Sequence, residues 1–128
     1  MKQTSSKQTW WWCLRLSVVL VWLYQGLWHK LLAVDTRHLD IVASAPSFLP
    51  PRVALGMIGA WETLLGLAVL FRWRPQPAAC LQVATMIGMN AAGIVFAGDK
   101  IPDIGGMLTM NLVFVLAIWG LAYVAPHE

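Results

Sequence analysis

The amino-acid sequence predicts an all-α integral membrane protein, a four-helix bundle in up-down-up-down order. Composition is the first reason: of 128 residues, 59% are hydrophobic and 12% charged, whereas a soluble domain carries about 25% charge. The second is a mean hydropathy of +0.64, which leaves too little polar surface to face water. The third is a set of four apolar segments, near 10–32, 52–71, 77–97 and 104–124. Each is long enough, at roughly 20 residues, to cross the hydrocarbon core as a helix. None alternates as a strand would, and only helices and closed barrels satisfy their own backbone in lipid.

Residues 1–9 are polar and read as a disordered tail. The first helix then opens on Trp10-Trp11-Trp12, rings suited to headgroup depth. A cleaved signal peptide is the rival reading, since Lys2 and Lys7 precede the apolar run. That run is too long, the small residues Ala43-Ser44-Ala45 lie too far beyond it, and Pro46 follows them, so the segment reads as a retained helix. In the connection 33–51, "VDTRHLDIVAS" mixes charged and apolar residues as a short interfacial helix would. Pro50 and Pro51 open the second helix, and Pro75 and Pro77 bracket the start of the third. Pro102-Asp103 supplies a turn and an N-cap for the fourth, which Pro126 follows. The links 72–76 and 98–103 are short, which makes consecutive helices antiparallel neighbours.

Lysine and arginine set the orientation. Lys2, Lys7, Arg15, Arg72 and Arg74 fall on one side and Lys30, Arg37, Arg52 and Lys100 on the other. The pair Arg72 and Arg74 in a tight loop decides for the first side as the inner one. The sequence is therefore read as a multi-pass protein of the cell inner membrane with both termini cytoplasmic.

Several functions are excluded. A net charge of +3 without a basic stripe argues against nucleic acid. Cys13 and Cys80 form no Cys-x-x-Cys pair, which argues against a disulfide or thiol-redox centre. No nucleophile motif, phosphate loop or dinucleotide fingerprint is present, so no catalytic residue is assigned. His29 and His38, with Asp35 and Asp40, are metal-ligand types at one end without metal-site spacing, and His127 lies at the other end. No metal site and no haem ligand pair are assigned.

The candidate site is a polar layer at membrane depth. Glu62 lies ten residues into the second helix, roughly 15 Å down and near the midplane. Asn90 and Asn111 reach a similar outer-half depth, as do Tyr24 and Gln25 on the first helix. Gly56, Gly59, Thr63 and Gly66 share the glutamate's face, and small residues let a second helix approach. Glu62 therefore faces protein, either protonated or paired, because an isolated charge there is expensive. The outer-mouth cations Lys30 and Arg52 are its nearest in sequence. The expected arrangement is a neutral Glu62 hydrogen-bonded within a cluster of Asn90, Asn111 and Tyr24 or Gln25. Such a cluster serves either as interhelical glue or as a ligand or proton site.

Three stretches resemble the DoxX-like family of small membrane proteins. "WLYQGLWHKLL" at 22–32 is similar to its first-helix signature. "GMIGAWETLLGLAVL" at 56–70 resembles its second helix, with Gly59, Glu62 and Gly66 in the family spacing. "IPDIGGMLTMNL" at 101–112 resembles the start of its fourth helix. Together these cover about residues 22–124. The chain has Met110 and Gln25 where the family often carries charged residues. The resemblance implies a four-helix fold and an accessory subunit of a quinone-linked or other redox system. It implies no cofactor of the chain's own, with quinone the one cofactor left open. Partners would be the lipid bilayer and a membrane redox protein or a second copy of the chain. The competing readings are a proton-coupled small-molecule carrier using Glu62 and a purely structural or assembly protein.

The orientation is tested by reporter fusions. Fusions at residue 74 and at the C-terminus are expected to report the cytoplasm and a fusion at residue 100 the opposite side; an external signal from the C-terminus overturns the topology.

Overall fold

The computed structural model describes residues 2–32, 37–46 and 48–125. Helix α1 (Lys2–Leu23) continues directly into a π-helical segment, Tyr24–Leu31. Beginning at Lys2, it takes in residues 2–9, the stretch read from sequence as a disordered tail. Then follow α2 (Arg37–Ser44), α3 (Pro51–Leu70) and α4 (Pro75–Ala97) with a closing 3₁₀ turn, Gly98–Lys100. Helix α5 (Ile104–Tyr123) is last. No strand occurs among the described residues. The architecture is thus all-α, with five α-helices among the described residues: four long ones, and the short α2 in the connection that the sequence reads as an interfacial helix. Asp35 and His127 lie outside the described residues.

Among the described residues, three helices are long and apolar enough to cross a membrane: Pro51–Leu70, Pro75–Lys100 and Ile104–Tyr123. Their starts follow local chemistry. Pro51 and Pro75 occupy first-turn positions, where the missing N–H has no intrahelical partner to lose. Asp103 caps α5 by accepting a hydrogen bond from the Gly106 N–H at 2.9 Å. A Cβ on Gly106 would meet the Asp103 carboxylate, so any larger residue there obliges the capping side chain to shift. Between α3 and α4, Arg72 and Arg74 hold left-handed backbone, φ 55° and 45°, a conformation that costs non-glycine residues about 1–3 kcal/mol each. Both guanidiniums lie over rings, Arg72 at 4.8 Å from Trp12 and Arg74 at 5.8 Å from Trp73, which offsets part of that cost.

Helix α1 and its π extension run antiparallel to α3. Arg15 donates to the Val69 carbonyl at 3.2 Å at one end, Trp22 lies on Gly66 further along, and Gly26 meets Gly59 and Glu62 beyond that. The main apolar cluster lies toward one end of this bundle, while Leu55 and Ala97 are fully buried outside it. Val18, Val19 and Trp22 pack in the cluster with Leu65 and Val69, Ala79 and Met86, and Ile118, Leu121 and Ala122. Trp22 ties the half together, donating from Nε1 to Gln82 Oε1 at 2.8 Å and stacking near Phe114 at 5.5 Å between ring centroids. In the other half the helices enclose space.

The closest approach is backbone to backbone. A Cβ on Gly59 would sit 2.6 Å from the Gly26 carbonyl oxygen and 2.7 Å from the Leu31 nitrogen. A Cβ on Gly26 would sit 2.8 Å from both Glu62 Cβ and the Gly59 carbonyl oxygen. Gly56, placed on the same face by its sequence spacing, has nothing within 4 Å and takes no part. Gly59→Ala is therefore expected to destabilise the protein by about 1–3 kcal/mol, since backbone must move. Gly56→Ala should leave stability unchanged or slightly raised, because a helix loses its glycine penalty. Equilibrium unfolding of the detergent-purified variants checks the contrast.

Candidate functional site

The π winding decides what the first helix turns inward. Its i→i+5 bonds, seen where the Leu32 N–H reaches the Leu27 carbonyl at 2.9 Å, put more residues in each turn than α winding does. Residues after Tyr24 are thereby rotated from the faces an α-helix would give them. Lys30 swings into the bundle, its stem passing over the bare backbone of Gly59. Its Nζ lies 2.8 Å from Glu62 Oε1, and the two side chains are only 5% and 4% exposed. Thr63, one position on, gives its hydroxyl back to the Gly59 carbonyl at 2.8 Å, so it adds no competing polar demand at the contact.

This pair corrects the expected arrangement. Glu62 does face protein, but its close partner is the Lys30 side chain and not the asparagines. Lys30, read from sequence as a cation at the outer mouth, is buried against the glutamate. Arg52 is exposed in the first turn of α3. Tyr24 is 50% exposed and packs edge-on to His29 at 4.5 Å between centroids, away from the glutamate.

Beside the pair lies a cavity of about 580 Å³. Gln25, Lys30, Glu62, Asn90 and Asn111 supply its polar wall, so residues from the π segment, α3, α4 and α5 meet there. Tyr24 and Arg52 do not line it. Val21, Trp22, Ile41 and Phe114 supply apolar wall, together with Met86, Met89, Met107 and Met110. Trp22 and Met86 also belong to the core, so they form the partition between packed and open halves. Lys100, Ile101, Pro102 and Asp103 lie at the rim. Lys100 donates to the Asp40 carbonyl at 3.4 Å and to the Ser44 hydroxyl, which fastens α2 alongside.

Sequence reasoning missed Lys100, Asp103 and the methionines as cavity residues. Depth arithmetic assigned the first two to a loop, and apolar methionines carry no signal distinct from core packing. Among the described residues no group of three or more His, Cys, Asp or Glu is placed to hold a metal ion, and Cys13 and Cys80 are free and exposed. What the cavity offers chemically is a set of amide and ammonium donors interspersed with a polarizable apolar surface.

The model of the DoxX-like family matches residues 19–119 of the 128-residue chain. No curated protein and no solved structure matches it.

Removing one member of a buried pair strands the other charge. Glu62→Leu is expected to destabilise by about 3–5 kcal/mol, while Lys30→Met combined with Glu62→Leu should recover most of that loss. A double-mutant cycle on unfolding measures both; additive losses overturn the pairing.

Proposed function

The chain belongs to the DoxX-like family, and on that premise we propose that it is an accessory subunit of a quinone-linked redox system in the bacterial inner membrane. In this reading it spans the bilayer four times, up-down-up-down, with both termini cytoplasmic. The first helix supplies the fourth span. Its charges explain why composition alone leaves it out, and two of them are not presented to lipid: Arg15 is buried against the Val69 carbonyl and Lys30 against Glu62. Charges at membrane depth are tolerated when they face the bundle interior and pair there.

The observation that carries the ligand assignment is the cavity with its donors already in place. A quinone ring is flat and apolar with carbonyl oxygens that accept hydrogen bonds. Amide donors on Gln25, Asn90 and Asn111 and the Lys30 ammonium match those oxygens, and Trp22, Phe114, Val21 and Ile41 match the ring. The volume of about 580 Å³ falls in the range of about 300–1,000 Å³ typical of small-molecule pockets. A bound quinone supplies reversible electron and proton transfer; the side chains named here bind and orient it. Electrons would come from a partner protein, which is the sense of the accessory role. The Lys30–Glu62 pair ranks this reading above the proton-coupled carrier, because Glu62 is already committed to a fixed cation.

Titration of the detergent-purified chain with a short-tail ubiquinone analogue, followed by tryptophan fluorescence, tests the proposal. Saturable quenching is expected, and Gln25→Leu, Asn90→Leu and Asn111→Leu should each weaken it up to about tenfold, the worth of one hydrogen bond. Equal affinity in the wild type and the triple variant rules out the site.

A further inference from the structure

Four of the six methionines of the chain line one cavity. They come as two copies of a single pattern, Met-x-x-Met-Asn. Met86-Ile-Gly-Met89-Asn90 lies on α4 and Met107-Leu-Thr-Met110-Asn111 on α5, and these two helices pack together. Spacing of i, i+3 brings both sulfurs of a pair to one helix face, and both faces border the same space. Methionine commonly serves as a flexible gap filler. Here Met86 is packed in the core, yet it borders the same open volume of about 580 Å³ as Met89, Met107 and the largely exposed Met110.

A thioether is a weak hydrogen-bond acceptor, carries no charge and has no proton to lose. The chemistry that sets it apart from leucine is donation to soft metal ions, copper(I) above all. Hard and borderline divalent ions favour carboxylate and imidazole, and no group of three such ligands exists among the described residues. The formal charges lining the cavity, Lys30, Glu62, Lys100 and Asp103, balance to zero. That wall suits a monovalent cation better than a divalent one, since each further charge raises the cost of leaving water. Asn90 and Asn111 add amide dipoles beside the sulfurs.

We infer that the two Met-x-x-Met-Asn segments form a thioether site for a soft monovalent metal ion, copper(I) or its redox-inert counterpart silver(I). The site is independent of the quinone reading, which rests on the amide and ammonium donors.

The test uses silver(I) alone, with the full-length detergent-purified protein, no added quinone, and metal analysis after desalting. A stoichiometric amount of silver is expected to stay bound and to raise the melting temperature. In a Cys13→Ser, Cys80→Ser background, which removes two exposed thiols that would themselves take silver, replacing Met86 and Met89 by Leu, or Met107 and Met110 by Leu, should abolish retention while circular dichroism stays helical, because Leu conserves volume and apolarity. Two separate double variants keep the test open should one fail to fold. The Cys13→Ser, Cys80→Ser protein with its methionines intact should still retain about one equivalent of silver, as expected of a site without thiols. The proposal is overturned if the wild type retains none, if either folded leucine variant retains as much as the serine variant, or if the serine variant loses it.

Discussion

A lysine and a glutamate buried side by side, 2.8 Å apart, set the terms for the rest of this bundle. Neither charge is tolerable alone at such a site, and together they are tolerable only at close range and in good geometry. Close range requires that the two helices bearing them touch backbone to backbone, which Gly26 and Gly59 permit. It also requires that Lys30 point inward, which the π segment achieves. Trp22 against Gly66 continues the same approach toward the packed half, and Arg15 on the Val69 carbonyl finishes it. The first helix and α3 thus form the tight side of the molecule, held by small residues and paired charges more than by bulky apolar contact.

Much of this was legible in the sequence, for reasons that can be named. Lengths of apolar run and proline positions are local signals, and they locate α3, α4 and α5. Asp103 was legible as a cap because a turn, an acid and a glycine stood together. Glu62 was legible as inward-facing because a lone acid in an apolar run has nowhere else to go. Its partner was not. Placing Lys30 by α-helical rise puts it at the end of the span, and nothing in the residue pattern announces a change to i→i+5 bonding. Gly56 misled for a related reason: spacing assigns a face, but only the line of approach of the neighbouring helix decides how far along that face contact extends. The short helix α2 was suggested by its alternating charges, while its fastening through Lys100 depends on a contact 60 residues away in sequence.

The division into a packed half and an open half gives the two ends different mechanical characters. In the packed half, Trp22, Gln82 and Phe114 interlock with aliphatic neighbours, and close packing resists deformation. In the open half, polar side chains line space rather than one another, and methionines there can change rotamer at little expense. A ligand can therefore reshape the open half without disturbing the core, with Trp22 and Met86 as the boundary that both halves share.

The π segment has a consequence for how this chain can vary. Eight residues, Tyr24–Leu31, occupy that segment, and wider turns hold more residues per unit of axial rise than α turns do. The length of the segment thus carries information separate from the identity of its residues. Loss of one residue there would let the helix relax toward ordinary winding and would change the face on which each residue from Tyr24 to Leu31 emerges. Lys30 would then leave Glu62 even with every side chain conserved. In this stretch an insertion or deletion is a more drastic event than any substitution, and the spacing between Trp22 and Lys30 is itself a structural requirement.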